Sequence, residues 1–450
     1  MVPAGVHAWC RVEWVVREIV VDEDGDQSLY VERIAALDLG KAVLEACVRL
    51  PHPSKPGRRV QEVRSFETRT AQLLALADWL RCEQVTTVVM ESTSDYWKGV
   101  YFLLEAEGFA CQLANAREVK NVPGRPKTDK ADAVWLAKVA ERGMFRPSLV
   151  HPEPIRRLRD FTRYRRSLVR DRSREKQRVE KLLEDAQIKL SSVISDLFGV
   201  SGRDMLDGLA AGQRDPKTLA DLARASMRGK TALLIEALTG FFTAHHGELL
   251  AMMLANIDRL SEQITVLDTR IEELVAPFCH QVEQLAEIPG IGRIGAAEII
   301  GETGVDMTHF PTAAHLVSWA KFAPAVHESA GTKKQKKRPK GNPWLAATLG
   351  NAAGAQTRAR TFLGARYRRI ARRRGKGKAM VAVGNSILTI VWHLLSDPDS
   401  HFHDLGADYY ETRINAERRA RNLATALQAV TGQKIIIQGG KAVIVEPQAA

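Results

Sequence analysis

Two aspartates three residues apart, Asp129 and Asp132 in "KTDKADA", open a segment with helical spacing. On a helix, that spacing puts both carboxylates on one face, about 5–6 Å apart at Cβ. Two further acids, Asp38 in "RIAALDLG" and Glu91 in "VTTVVMEST", stand inside otherwise apolar strands. A carboxylate in such a place is costly unless something neutralises it. A divalent cation would: Mg²⁺ takes hard oxygen ligands at about 2.0–2.1 Å, and paired ions about 3.5–4 Å apart hold both oxygens of a phosphoryl displacement. Taken singly, the acids have plainer readings: Asp129 as a partner for a helix dipole, Asp38 as a strand end before Gly40. As a set they point to metal-assisted phosphoryl transfer.

Those acids need a scaffold. "RIAALDLG", "AVLEACVRL" and the alternating "VQEVRSFET" read as three strands. A helix over "TAQLLALADWLRCE", a strand over "VTTVVMEST", a helix over "DYWKGVYFLLEAEG" and a strand over "FACQLANA" follow. "KTDKADAVWLAKVAERG" closes the series as a helix ended by Gly143. Three strands, then alternating helix and strand, is the order of an RNase H-like domain, expected over 31–150. In such a sheet the first strand carries an aspartate and the fourth an acid beside it, which is where Asp38 and Glu91 fall.

The texture then becomes helical, so the fold class expected is α/β followed by α. "IRRLRDFTRYRRSLVRDRSREKQRVEKLLEDAQIKL" is too long and unbroken for an ordinary globular helix. Ile257, Leu260, Ile264, Leu267, Ile271 and Leu274 recur as a heptad seam, ended by Pro277. Together these make 151–282 a helical coiled-coil region, pairing within the chain or with another subunit. The next region, 283–400, opens with "EIPGIGRIGAAEIIGETG", whose turn resembles a helix-hairpin-helix. There Gly290 and Gly292 would let backbone N–H groups approach a phosphate. Residues 401–450 read as a C-terminal helix and a β-hairpin around Gly439 and Gly440, and 1–30 as a weakly patterned extension.

Charge narrows the partners. The chain carries +12 with a pI near 9.5, which suits a polyanion, nucleic acid before membrane surface. Lys333 to Lys378 holds sixteen Lys or Arg and no acid, whereas Val31 to Val150 is nearly balanced. An acid-free stretch of that length favours phosphate contact. Its candidate contacts are Lys333, Lys334, Lys336, Lys337, Arg338 and Lys340, with Arg372, Arg373 and Arg374 further on. No run of eighteen apolar residues is present and the N-terminus lacks the order of a signal peptide, so neither a membrane span nor export is expected. Five widely spaced cysteines read as reduced thiols in a cytoplasm. Trp319 and Trp344 fit core packing or base stacking. Tyr409 and Tyr410, in "DLGADYYE", lie away from basic residues and are not expected to act as nucleophiles. Ser329, in "HESAG" just before the acid-free run, needs a base, a metal or dense positive charge to become one. His327 and Lys333, Lys334 and Lys336 are near it in sequence, and a solvated loop serine is the competing reading.

At this point the chain resembles a known family, the DEDD-type transposases of bacterial insertion sequences. The matching residues are "DLGK" at Asp38, "EST" at Glu91, "KTDKADA" at Asp129 and Asp132, "IPGIG" at Ile288 to Gly292, the serine of "HESAG", and "KGNPWL". The resemblance spans about residues 31 to 400, with six motifs in order. It implies a RuvC-like first domain and a serine transposase domain, with Mg²⁺ held by Asp38, Glu91, Asp129 and Asp132. Ser329 is then the nucleophile that forms a phosphoserine link to DNA. It also implies double-stranded DNA as substrate, a bridge RNA as guide, and homo-dimers pairing into a tetramer in which one subunit's carboxylates meet another's serine. Such a protein would work in the bacterial cytoplasm, at the nucleoid. Two other functions fit the residues: a RuvC-like junction endonuclease using the carboxylates alone, and a non-enzymatic nucleic-acid scaffold.

Overall fold

A computed structural model describes residues 31–91, 94–115, 128–324, 327–329, 332–334, 341–412, 416–438 and 441–445. The chain divides into two units, Met1–Val150 and His151–Ala450; the 1–30 extension lies outside the described residues.

The first unit is a mixed sheet between helices. Strands β1 (Ile34–Leu39), β2 (Val43–Pro51) and β3 (Arg59–Glu67) form an antiparallel meander. Helix α1 (Thr70–Cys82) leads to β4 (Thr87–Glu91), which pairs in parallel with β1. Helix α2 (Trp97–Ala106) leads to β5 (Ala110–Ala114), parallel to β4. Helix α3 (Asp129–Glu141) and a two-residue antiparallel β6 (Pro147–Ser148) complete the order β3-β2-β1-β4-β5-β6. All but β6 follow from the hydrophobic pattern; a two-residue strand is too short to have a period.

Alternation sorts the strands' side chains onto two cores. Ala35, Leu37, Leu39, Val88 and Met90 pack under Leu73, Leu76 and Leu80 of α1 and Val100 and Leu104 of α2. On the other face Ile34, Ala36, Cys47 and Val89 meet Ala133, Leu136, Ala137 and Ala140 of α3. The alanines let α3 lie close to the sheet.

One end of α3 is locked by charge. Arg49 of β2, fully buried, donates from Nε and Nη2 to both carboxylate oxygens of buried Glu141, at 2.8 and 3.1 Å, and from Nη1 to Gln61 Oε1 at 2.8 Å. Arg59 adds a second guanidinium 3.3 Å from Glu141 and donates to the Arg49 carbonyl. Burial lowers the pKa of Arg59, opposed by the Glu141 charge.

The second unit is helical. α4 (Glu153–Asp185) and α9 (Ala244–Val275) form an antiparallel pair, with Arg165 bonded to Asp268, Arg172 to Ser261 and His246 to Asp185. Ile257, Leu260, Ile264, Leu267 and Ile271 are buried along this seam, so the heptad finds its partner inside the chain. Its last member differs: Val275 is buried and Leu274 half-buried, because a straight helix drifts off a strict seven-residue repeat. Four short helices, α5 (Leu190–Val193), α6 (Val200–Ala210), α7 (Pro216–Ala220) and α8 (Thr231–Leu238), form a cluster at the far end of the pair.

Beyond it come α10 (Cys279–Ala286), α11 (Arg293–Thr303), α12 (Ala313–Trp319), the strands β7 (His327–Ser329) and β8 (Thr332–Lys334), α13 (Pro343–Ala355), α14 (Phe362–Arg374) and α15 (Lys376–Ser396). By length and composition alone α15 is apolar enough to cross a membrane. Here it is the core of a helical bundle, burying Val383, Ile387, Leu388 and Val391 among α10, α12, α13 and α14. The chain ends in α16 (Tyr409–Thr412), α17 (Ala416–Thr431) and the antiparallel pair β9 (Lys434–Gln438) and β10 (Lys441–Val445).

Replacing Glu141 by Gln removes the carboxylate that both buried guanidiniums share. It is expected to cost about 3–5 kcal/mol in urea denaturation. Arg49→Met should cost less, because Arg59 still faces Glu141; the reverse ranking would mean the lock is not organised around Glu141.

Candidate active site

The carboxylates are placed by strand register and helix direction. Leu37 of β1 pairs with Met90 of β4, so Asp38 and Glu91 come next, side by side at the carboxyl ends of adjacent parallel strands. Both belong to the face of Ala36 and Val89 that α3 covers. Gly40 follows because the turn is tight: a Cβ there would lie 2.4 Å from the Val43 carbonyl oxygen.

Helix α3 runs opposite to β1. Its last residue, Glu141, accepts from the Val31 N–H and is gripped by Arg49, whose strand neighbour is Ile34. From Glu141 back to Asp129 is about 18 Å of helix, against about 23 Å of strand from Val31 to Asp38. Asp129 and Asp132 therefore lie toward the Asp38 and Glu91 end. Thr128 caps the helix by accepting from the Ala131 N–H at 3.2 Å, and both aspartates occupy the first turn, where the dipole favours negative charge. Glu91 is buried, Asp38 and Asp132 are half-buried, and Asp129 is exposed.

A fifth acid joins the row. Glu45 of β2 is the direct partner of Asp38 and accepts from the Ser65 hydroxyl at 2.7 Å. Its signal was available, because a hairpin turning at Gly40 sets Glu45 opposite Asp38. Directly opposed like charges are destabilising.

In kind, the donor set suits a hard divalent cation: the acids are all oxygen donors, and burial holds the nearby Cys47 thiol protonated, its pKa pushed up to about 12. The expected four-carboxylate cage is nevertheless not closed. Among the described residues no three His, Cys, Asp or Glu side chains gather closely enough to hold an ion. Like-charged carboxylates repel, so packing alone does not draw them together.

In the second unit, Ser329 lies on β7, in register with Thr332 of β8. Of Lys333 and Lys334 only the strand is described, and Lys336, Lys337, Arg338 and Lys340 lie outside the described residues. Arg372, Arg373 and Arg374 are exposed in the last turn of α14. Gly375 (φ +85°) turns directly into α15, which brings exposed Lys376 and Lys378 to the same tip.

The turn of "IPGIG" joins α10 to α11. Gly292 stands open at the N-terminus of α11, but Gly290 (φ +87°) has a packing reason: a Cβ there would lie 2.9 Å from the Ala352 carbonyl oxygen of α13.

Much of the basic character of α4 is neutralised within the unit. Arg163 is bidentate to buried Glu302 at 2.7 and 2.8 Å, and Arg166 grips Glu298, both acids on α11. Trp344 is half-buried with Arg163 and Arg170 against its ring, and Trp319 packs on Phe310. Tyr410 is not away from basic residues in space: Arg366 donates to its hydroxyl at 3.3 Å and Arg369 lies over its ring. It stacks on Phe362, a packing role. Sequence distance hid these arginines.

Two family models match the chain. One for DEDD transposases of IS110, described as "Transposase", matches residues 35–188, and one described as "Transposase IS116/IS110/IS902 family" matches residues 282–368. The chain is 27% identical over 303 residues to an uncharacterized 42 kDa protein of insertion element IS900 of Mycobacterium paratuberculosis, covering 61% of this chain and 72% of that one. It is 22% identical over 276 residues to the pilin gene-inverting protein of Moraxella bovis, covering 59% and 66%.

His151, buried beside Glu302 with Nε2 3.1 Å from its carbonyl oxygen, supplies a pH test. Burial, then the Arg159 charge, push its pKa down to about 4. The unfolded chain takes up a proton below about pH 6.5 that the folded unit refuses, so stability falls as pH drops from about 6.5 to 4, by roughly 2–3 kcal/mol. Denaturation curves of His151→Gln should lack that slope.

Proposed function

Since the chain belongs to the IS110/IS116/IS902 family of transposases, which are DNA-recombining enzymes, we propose that it cuts and rejoins DNA through the carboxylates of its first unit and Ser329 of its second. The observation that carries the reading is the placement of Asp38 beside Glu91 at adjacent strand ends, under a helix that begins with Asp129 and Asp132. A sheet in the order β3-β2-β1-β4-β5 supports an RNase H-like, RuvC-like reading of that unit.

Family membership implies DNA binding and a divalent metal. Mg²⁺ is the ion proposed, held by Asp38, Glu91, Asp129 and Asp132; when bound it supplies positive charge to the phosphate. The chain's own residues do the rest. The Ser329 hydroxyl attacks the scissile phosphorus, forming an Oγ–P bond as the P–O bond to one DNA strand breaks. The proton lost by Ser329 goes to a base, for which His327 is the nearest candidate in sequence, and a proton returned from that base or from water to the leaving oxygen lets the released strand depart as a hydroxyl. Attack by another strand's hydroxyl reverses the step and frees the serine, so rejoining needs no external energy source. Lys333, Lys334, Lys336, Lys337, Arg338, Lys340, Arg372, Arg373 and Arg374 provide phosphate contacts, with Gly290 and Gly292 at the turn. A bridge RNA would select the target by base pairing, with dimers pairing into a tetramer so that serine and carboxylates come from different copies.

The decisive measurement is a denaturing gel for a protein–DNA adduct. The wild type with Mg²⁺ should form one; Ser329→Ala should form none; Asp38→Asn and Glu91→Gln should slow it by about 10³-fold or more while DNA binding persists. Chelation should abolish it and added Mg²⁺ restore it. Cleavage by Ser329→Ala at the wild-type rate would instead indicate a junction endonuclease using the carboxylates alone.

A further inference from the structure

The segment carrying Ser329 begins and ends at one place on the bundle. It departs after α12, where Lys321 takes a left-handed conformation (φ +60°) and its N–H and that of Phe322 close the helix on Ser318 and Val317. It re-enters at Gly341, where a Cβ would lie 2.7 Å from the Ala320 carbonyl oxygen. The two ends therefore abut. The departing end is fixed by Asn385, which donates to the Phe322 carbonyl at 3.2 Å, and by Gly384, whose missing Cβ makes room for the Phe322 ring.

The returning end is held by Asn342. Its Oδ1 accepts from the N–H groups of Trp344 and Leu345, at 2.9 and 3.2 Å, and so caps α13. Ser, Thr or Asp would cap as well. Asn342 does something they do not: its Nδ2 donates to Glu302 Oε2, the same buried carboxylate that Arg163 holds from α4. Serine and threonine are too short to span both contacts, and aspartate would set a second negative charge against Glu302. Only a side chain with an acceptor and a donor on one short stem joins the cap to the ion pair.

We infer that Asn342 is a positioning residue for Ser329: through Glu302 it fastens the return of the serine-bearing segment to the arginines of the long helix. Between Phe322 and Gly341 that segment carries six cations and one acid, Glu328, a composition ill suited to a core of its own. Its two ends are where the described residues tie it to the rest of the unit. The inference rests on the reading of Ser329 as the nucleophile.

The test measures the rate of adduct formation, DNA affinity and melting temperature in one set of full-length variants. Asn342→Ser keeps the cap but loses the reach. It should slow the adduct about 10- to 30-fold, with affinity within about twofold and melting within about 3 °C of wild type. Asn342→Asp should be slowed further, by repulsion from Glu302. Combining it with Glu302→Gln restores a hydrogen bond of reversed polarity, and the pair should recover about threefold or more over Asn342→Asp. Wild-type adduct rates in Asn342→Ser would overturn the inference, as would a loss of binding or melting in step with the rate, or no recovery in the double variant. A wild type that forms no Ser329-dependent adduct overturns the serine reading, and the positioning role with it; that result is recognisable without any Asn342 variant.

Discussion

Carboxylates set near one another repel, and something other than their own attraction must fix where they stand. In the first unit that work falls to the buried contact of Arg49 with Glu141. The face of α3 that meets the sheet is mostly alanine, a smooth surface that resists separation better than sliding. A bidentate guanidinium–carboxylate pair has fixed geometry, so it defines the axial position that alanines leave open. Asp129 and Asp132, at the opposite end of the same helix, inherit that position. A buried ion pair is a weak source of net stability, but it is costly to break, which suits a part whose task is registration.

The second unit uses the same chemistry for a different purpose. Glu298 and Glu302, one turn apart on α11, take Arg166 and Arg163 from α4, while Thr348 and Asn342 of the neighbouring segment complete their hydrogen bonds. Three stretches far apart in the chain are thereby tied at two carboxylates. Part of the basic charge of α4 is thereby taken up inside the unit.

The parts legible in sequence were those with a local signal. Strand alternation, the helix capped by Thr128 and the order of elements carried Asp38, Glu91, Asp129 and Asp132 to one end of one face. The heptad of α9 was legible too, though not its choice of partner, since spacing says which face is apolar and not what covers it. Glu45 carries no signal within its own strand, because only the hairpin register sets it opposite Asp38. The partners of Arg163, Arg166 and Tyr410 were invisible for a plainer reason: they lie dozens to well over a hundred residues away, and no periodicity links them. The closure of a metal cage was not legible either, because it depends on rotamers and counter-charge, not on spacing.

The tip between α14 and α15 has a consequence of its own. Arg372, Arg373, Arg374, Lys376 and Lys378 flank a single glycine between two packed helices. Cations on a floppy tail lose freedom when they settle on a polyanion, and that loss weakens the grip. Here the backbone beneath them is already ordered by the bundle, so the entropic penalty of arranging it falls on folding instead of on association.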